Sequence, residues 1–189
     1  ILGGLPAPGE GLGRLARMID AYGAKATVYG ILASHPPVAE LLVNIAALSE
    51  PLSERICRDP SALEALLSPG GVTGRRSRAD LTARLAALER AAPDPARAGL
   101  VIQSEERLRI GVRFLLGIAS AAEAGAELAT LAEILLGEPD FAVIALGRFG
   151  LGDLGFGSDL DLVFVAAEGE GAARRVQDRI AFWQKLGLV

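Results

Sequence analysis

Apolar residues recur at three- and four-residue steps through most of this chain. Leu12, Leu15 and Ile19 show the pattern early, and Leu81, Leu85 and Leu88 repeat it. The stretch from Leu12 to about Leu136 therefore reads as a series of amphipathic helices. Breakers divide it. His35-Pro36-Pro37 interrupts one helical run. Asp59-Pro60-Ser61 offers a helix start, with Ser61 as the cap of a helix over Ala62 to Leu67 that ends at Ser68-Pro69-Gly70-Gly71. Gly74 to Arg78 reads as an exposed basic loop, and Ala91-Ala92-Pro93-Asp94-Pro95 as a second break. Beyond it the pattern predicts helices over Ser104 to Ile118 and over the alanine-rich Ala121 to Leu136.

The period then changes once, after Gly137-Glu138-Pro139-Asp140. Phe141 to Leu146 and Leu160 to Ala166 are compact apolar runs that read as strands, and Ala172 to Leu186 returns to helix. The expected fold is α+β and mostly α. It consists of a helical domain over residues 1–138 and a small mixed unit over 139–189, with the boundary where the period shifts.

Glycine dominates the connection between the two strands, at Gly147, Gly150, Gly152, Gly155 and Gly157. Gly150 to Gly155 satisfies a dinucleotide-binding fingerprint, but the next strand follows too soon for the crossover helix that fold requires. The residues just before the second strand carry more information. Asp159 and Asp161 are two positions apart, so in extended chain they share a face. Adjacent carboxylates repel, and a cation between them removes the penalty. Mg²⁺ suits such a pair, since it takes one or two protein carboxylates and fills its other positions with water and substrate phosphates. A hydrophobic residue and Gly147, a short connection, then Asp-hydrophobic-Asp-hydrophobic resembles the layout of polymerase β-type nucleotidyltransferases. In such a layout glycine lets backbone N–H groups approach a triphosphate.

Composition removes several alternatives. The chain has 189 residues, enough for one substantial domain or two small ones, and a net charge of −4 with no evident basic face, which argues against nucleic-acid binding. Cys57 is the only cysteine, in keeping with a reducing, cytoplasmic setting. No apolar run approaches the roughly 18 to 20 residues that span a bilayer. Ile1 to Gly13 lacks a charged n-region and an initiator Met, and so reads as the cut end of a longer chain rather than a signal peptide. There is no Cys/His cluster for zinc, and a Ser-His-Asp arrangement would have to recruit His35, the single histidine, from the helical block. Packing is the default for His35, Cys57 and Trp183, and a solvated loop the default for Arg75, Arg76 and Arg78.

The run Phe141-Ala142-Val143-Ile144-Ala145-Leu146-Gly147-Arg148-Phe149-Gly150, then Leu154, then Ser158-Asp159-Leu160-Asp161-Leu162, resembles the signature of the glutamate-ammonia-ligase adenylyltransferase family. Those bifunctional enzymes adenylylate and deadenylylate glutamine synthetase. Ala24 to Leu67, with His35-Pro36 and Arg58-Asp59-Pro60, is similar to the helical segment before the family's C-terminal adenylylating domain. Glu106 to Ile110 and Leu128 to Ile134 are similar to its next helices.

The resemblance implies an incomplete polymerase β-like nucleotidyltransferase unit that transfers AMP from ATP to a tyrosine of glutamine synthetase. It implies Mg²⁺ on Asp159 and Asp161, and ATP phosphates against Gly147, Arg148, Gly157 and Ser158. The implied partners are glutamine synthetase and a PII-type signalling protein, with no nucleic acid and no membrane. The related removal half releases the nucleotide with phosphate, as ADP. Three departures stand out: Gly150-Leu151-Gly152-Asp153 replaces the family's Gly-Gly-x-Glu, the link from Leu131 to Phe141 is short, and Val189 precedes the strand that carries the third carboxylate. A second reading stays open, in which the chain is a helical interaction module with a catalytically incomplete remnant.

Overall fold

The computed structural model describes residues 8–60, 66, 71–169 and 171–189. The expected Ser61 cap, most of the helix over Ala62 to Leu67 and the Ser68-Pro69-Gly70 stop lie outside the described residues; Leu66 is helical and buried. The chain forms two compact units, one of Ile1–Gly74 with Gly111–Ile118, the other of Arg75–Ile110 with Ala119–Val189.

The first unit contains α1 (Pro8–Tyr22), α2 (Lys25–Ser34), α3 (Pro36–Leu48) and α4 (Glu50–Arg58). Met18, Ile19, Leu42, Ile45 and Ile56 are buried in it. As the prolines foretell, α2 stops at Ser34. Pro36 and Pro37 occupy the first turn of α3, where no N–H is needed, and the His35 N–H donates back to the Ile31 carbonyl at 2.8 Å. Among the described residues no single helix is long and apolar enough to cross a membrane. Only α2 and α3 together reach that composition, and they are bent by 113°.

The second unit contains α5 (Arg78–Ala91), most of α6 (Pro95–Leu115), α7 (Ala121–Leu136), β1 (Ala142–Ala145), the single-turn α8 (Gly147–Gly150), β2 (Leu162–Val165) and α9 (Ala172–Lys185). Capping boxes start two of these helices. Ser77 and Asp80 exchange hydrogen bonds at the head of α5, and Ser120 and Glu123 do so at the head of α7. Helix α6 begins nine residues before the expected Ser104, since 104 − 95 = 9. Asp94 accepts from the Ala96 N–H at 3.0 Å and Pro95 takes the first helical position, so the second break is itself a helix start. Helix α6 also ends at Leu115 rather than Ile118, where Gly117 at φ +69° lets the chain turn and the Ile118 N–H bonds to the Arg113 carbonyl.

The basic loop is exposed at Gly74, Arg75, Ser77 and Arg78, as expected, and the half-buried Arg76 is the exception. Arg78 is already helical and pairs with Glu133, and Arg76 pairs with the fully buried Glu106. Arg109 continues the network, bonding Glu106 at 2.8 Å and also Glu127, with both of its carboxylate partners and its own side chain buried. Burial of this kind is tolerated because each charge has an opposite partner.

The strands are shorter than their apolar runs and pair antiparallel, with Ala142 opposite Val165 and Ala145 opposite Leu162. An antiparallel pair cannot be the parallel βαβ unit of a dinucleotide fold, as the short spacing foretold. Phe141, Val143, Ala145, Leu160, Leu162 and Phe164 turn inward onto the helices around Trp183, which is fully buried and stacks on Phe164 with ring centroids 5.5 Å apart.

Candidate active site

The connection between β1 and β2 is built by close backbone packing. Gly147 sits at φ +55°, outside the range L side chains prefer, and starts α8 directly after β1. One turn on, Gly150 passes so near the strand that a Cβ there would lie 2.6 Å from the Ala145 carbonyl oxygen. The glycine-rich connection between the strands begins as a helical turn, closed by the Gly150 N–H on the Leu146 carbonyl at 2.9 Å.

Asp159 and Asp161 precede β2 rather than lying inside it. Strand β1 ends at Ala145, so nothing opposite remains to pair with Asp159, and the ladder closes with the Leu146 N–H donating to the Asp161 carbonyl at 2.8 Å. Extended alternation nonetheless runs through this stretch. Residues 158, 160, 162 and 164 are half-buried, while 159, 161, 163 and 165 are exposed. The two carboxylates therefore share the solvent face with Val163 and Val165, opposite the core. The Asp161 carboxylate lies over Gly147, with Oδ2 2.5 Å from where a Cβ of that residue would be.

The other expected site residues divide. Gly147 is brought against Asp161. Gly157 is exposed with nothing within 4 Å of a built Cβ, leaving its backbone open to approach. Ser158 belongs to the half-buried side, and its hydroxyl accepts from the Gly155 N–H at 3.0 Å, closing a local turn away from the carboxylate face. Arg148 is exposed and folds along its own loop, donating from Nε to the Asp153 carbonyl at 3.1 Å.

Two contributors were not legible beforehand. Gly125 of α7 accepts from the Leu154 N–H at 3.4 Å, and Arg107 of α6 donates to the Phe156 carbonyl. Burial pulls the Arg107 guanidinium below its usual pKa. Among the described residues no group of three or more His, Cys, Asp or Glu side chains converges as a metal site. The pair of exposed carboxylates beside a cradle lacking Cβ still fits a hard cation that needs only one or two protein oxygens.

A family model described as glutamate-ammonia ligase adenylyltransferase matches residues 136–188, which hold β1, the glycine connection, both aspartates, β2 and α9. The chain belongs to this family. Curated members of the adenylyltransferase family match well beyond that segment. The bifunctional glutamine synthetase adenylyltransferase/adenylyl-removing enzyme of Xanthobacter autotrophicus is 33% identical over 153 residues, covering 68% of this chain. Proteins of the same name from Thioalkalivibrio sulfidiphilus and Brucella suis are 30% and 28% identical, over 92% and 82% of the chain. The chain spans only 15%, 20% and 18% of those three adenylyltransferases, respectively.

Proposed function

We propose that this chain carries the metal-binding segment of a polymerase β-like nucleotidyltransferase, within the C-terminal adenylylating region of a bifunctional enzyme. That enzyme would transfer AMP from ATP to a tyrosine of glutamine synthetase in the cytoplasm, remove it again by phosphorolysis in its other half, and answer to a PII-type signalling protein. The observation that carries the reading is the Asp161 carboxylate seated against Gly147, with Asp159 on the same exposed face. The family match over residues 136–188 supports it.

Asp159 and Asp161 would hold Mg²⁺. When bound, the ion supplies positive charge to the triphosphate of ATP. The open backbone at Gly157 would let N–H groups approach phosphate oxygens, and Gly147 would keep the space that Asp161 needs. Arg148, exposed at the rim, could release Asp153 and pair a phosphate through two guanidinium N–H groups. The half-buried Ser158 closes the turn through both its hydroxyl and its N–H, which bond to Gly155, so its role would be to hold the loop rather than to contact phosphate.

A second reading has its own support. With no third convergent acid among the described residues, the chain could serve mainly as a helical interaction module. Mg²⁺-dependent ATP binding, measured by calorimetry on the protein and on Asp159→Asn and Asp161→Asn, separates the two. Nucleotidyl transfer predicts that each substitution removes the Mg²⁺-dependent part of binding. Binding indifferent to both substitutions would sink the metal assignment and leave the interaction module.

A further inference from the structure

We infer that Arg107 is a positioning residue, whose hydrogen bond to the Phe156 carbonyl sets where the loop presents Asp159 beside Asp161. The inference rests on the proposed metal role of those aspartates.

The connection is anchored at both ends. At its start, the Leu154 N–H bonds to Gly125, and a Cβ on Gly125 would lie 3.3 Å from the Asp153 Cα and the Leu154 carbonyl oxygen, so α7 and the loop meet backbone to backbone. At its end, Asp161 is tied to Leu146 across the ladder. Between these anchors, the bonds joining Gly155 and Ser158 are internal to the loop and move with it. Phe156 and Leu160 pack against the core on the loop's inner side, next to a small pocket of about 30 Å³ lined by Arg107, Leu154, Gly155, Ser158 and Leu160 among others. Among the described residues, Arg107 makes the one hydrogen bond that reaches residues 155–160 from a helix.

The charge pattern of α6 separates Arg107 from its neighbours. Glu105 pairs with Arg84, and Glu106 with Arg76 and Arg109. Arg107 has no carboxylate partner among the described residues, yet its side chain is half-buried. Desolvating a guanidinium without a counter-charge is unfavourable, and the hydrogen bond to Phe156 is what offsets it. A lysine at that position retains one charged donor, and a methionine retains only the stem.

The test compares the protein with its Arg107→Met, Arg107→Lys and Asp161→Asn variants by local amide hydrogen exchange and by Mn²⁺ titration, reading free Mn²⁺ by electron paramagnetic resonance. Arg107→Met should raise exchange at Leu154, Gly155 and Ser158 about tenfold while α7 and α9 keep their protection. It should also weaken Mn²⁺ binding about tenfold, the scale of outer-shell support for metal ligands, with Arg107→Lys recovering most of both. Arg107→Gln replaces the Met variant if that one does not fold.

Unchanged exchange in the loop, or a rise shared equally with α7 and α9, would overturn the inference. So would a local rise with Mn²⁺ binding intact. If the unsubstituted protein and Asp161→Asn bind Mn²⁺ equally, the proposed function fails instead, and exchange alone then decides whether Arg107 anchors the loop.

Discussion

Asp161 holds its carboxylate in the space that any side chain at Gly147 would need, with Oδ2 2.5 Å from a Cβ built there. The two residues are fourteen positions apart in the chain, since 161 − 147 = 14, and the antiparallel ladder brings them together through the Leu146–Asp161 bond. Gly147 thus meets two demands, a left-handed backbone at φ +55° and room for an acid.

Gly147→Ala should lower stability by about 1–2 kcal/mol, the usual cost of a left-handed L-residue. Asp161 is exposed and can swing aside, so the steric conflict costs carboxylate position more than folding energy. Urea unfolding should show the modest loss, while Mg²⁺-dependent ATP binding falls further than that loss accounts for. Gly157→Ala is the contrast. A Cβ there meets nothing within 4 Å, and stability should stay within about 0.5 kcal/mol. A drop in ATP binding in that variant would report close approach of phosphate to backbone.

The network of Arg76, Glu106, Arg109 and Glu127 should dominate the electrostatic part of stability. Arg109→Met removes the cation shared by two buried carboxylates and should cost about 3–5 kcal/mol in urea unfolding. Arg58→Ala, which removes an exposed i,i+4 pair with Glu54, should cost at most about 0.5 kcal/mol. Equal effects of the two substitutions would contradict the assigned burial.

Asp80 gives a pH signature for the head of α5. Hydrogen bonds from the Ser77 hydroxyl and backbone N–H hold its carboxyl below the usual value for an aspartate, 3.8. A carboxyl depressed by folding stabilises the native state above its unfolded pKa, and that contribution disappears as pH falls through the lower folded value. The stability gap between the protein and Asp80→Asn should therefore be constant near neutral pH and narrow only below about 3.8. Carbon NMR of Asp80 should show its titration midpoint rising in Ser77→Ala.

The legible parts of the structure depend on neighbours in the chain. Helix α7 runs from Ala121 to Leu136 as its period predicts, because Ser120 and Glu123 cap it locally and Gly137 ends it. His35 with its two prolines separates α2 from α3 through the backbone chemistry of proline itself. Asp94 and Pro95 were harder to read, since the residues that break one helix also start the next. The apolar runs around Phe141 and Leu162 overstate the strands, because pairing needs a partner as well as a hydrophobic pattern.

Taken by itself, the amino-acid order determined the helical periods, the two closely spaced strands and the shared face of Asp159 and Asp161, which follow from local spacing, and the run from Phe141 to Leu162 carried the family resemblance. Only the tertiary structure decided that Asp161 meets Gly147, that the Ser158 hydroxyl turns to Gly155, that Arg148 lies along Asp153, and that Arg107 reaches Phe156 while Arg109 joins Glu106 to Glu127. Arg107 and Arg109 are the same residue type two positions apart on α6, on roughly opposite sides of the helix. Their partners are chosen by which loop or helix packs beside each, and that choice depends on the burial of the whole unit rather than on any window of sequence.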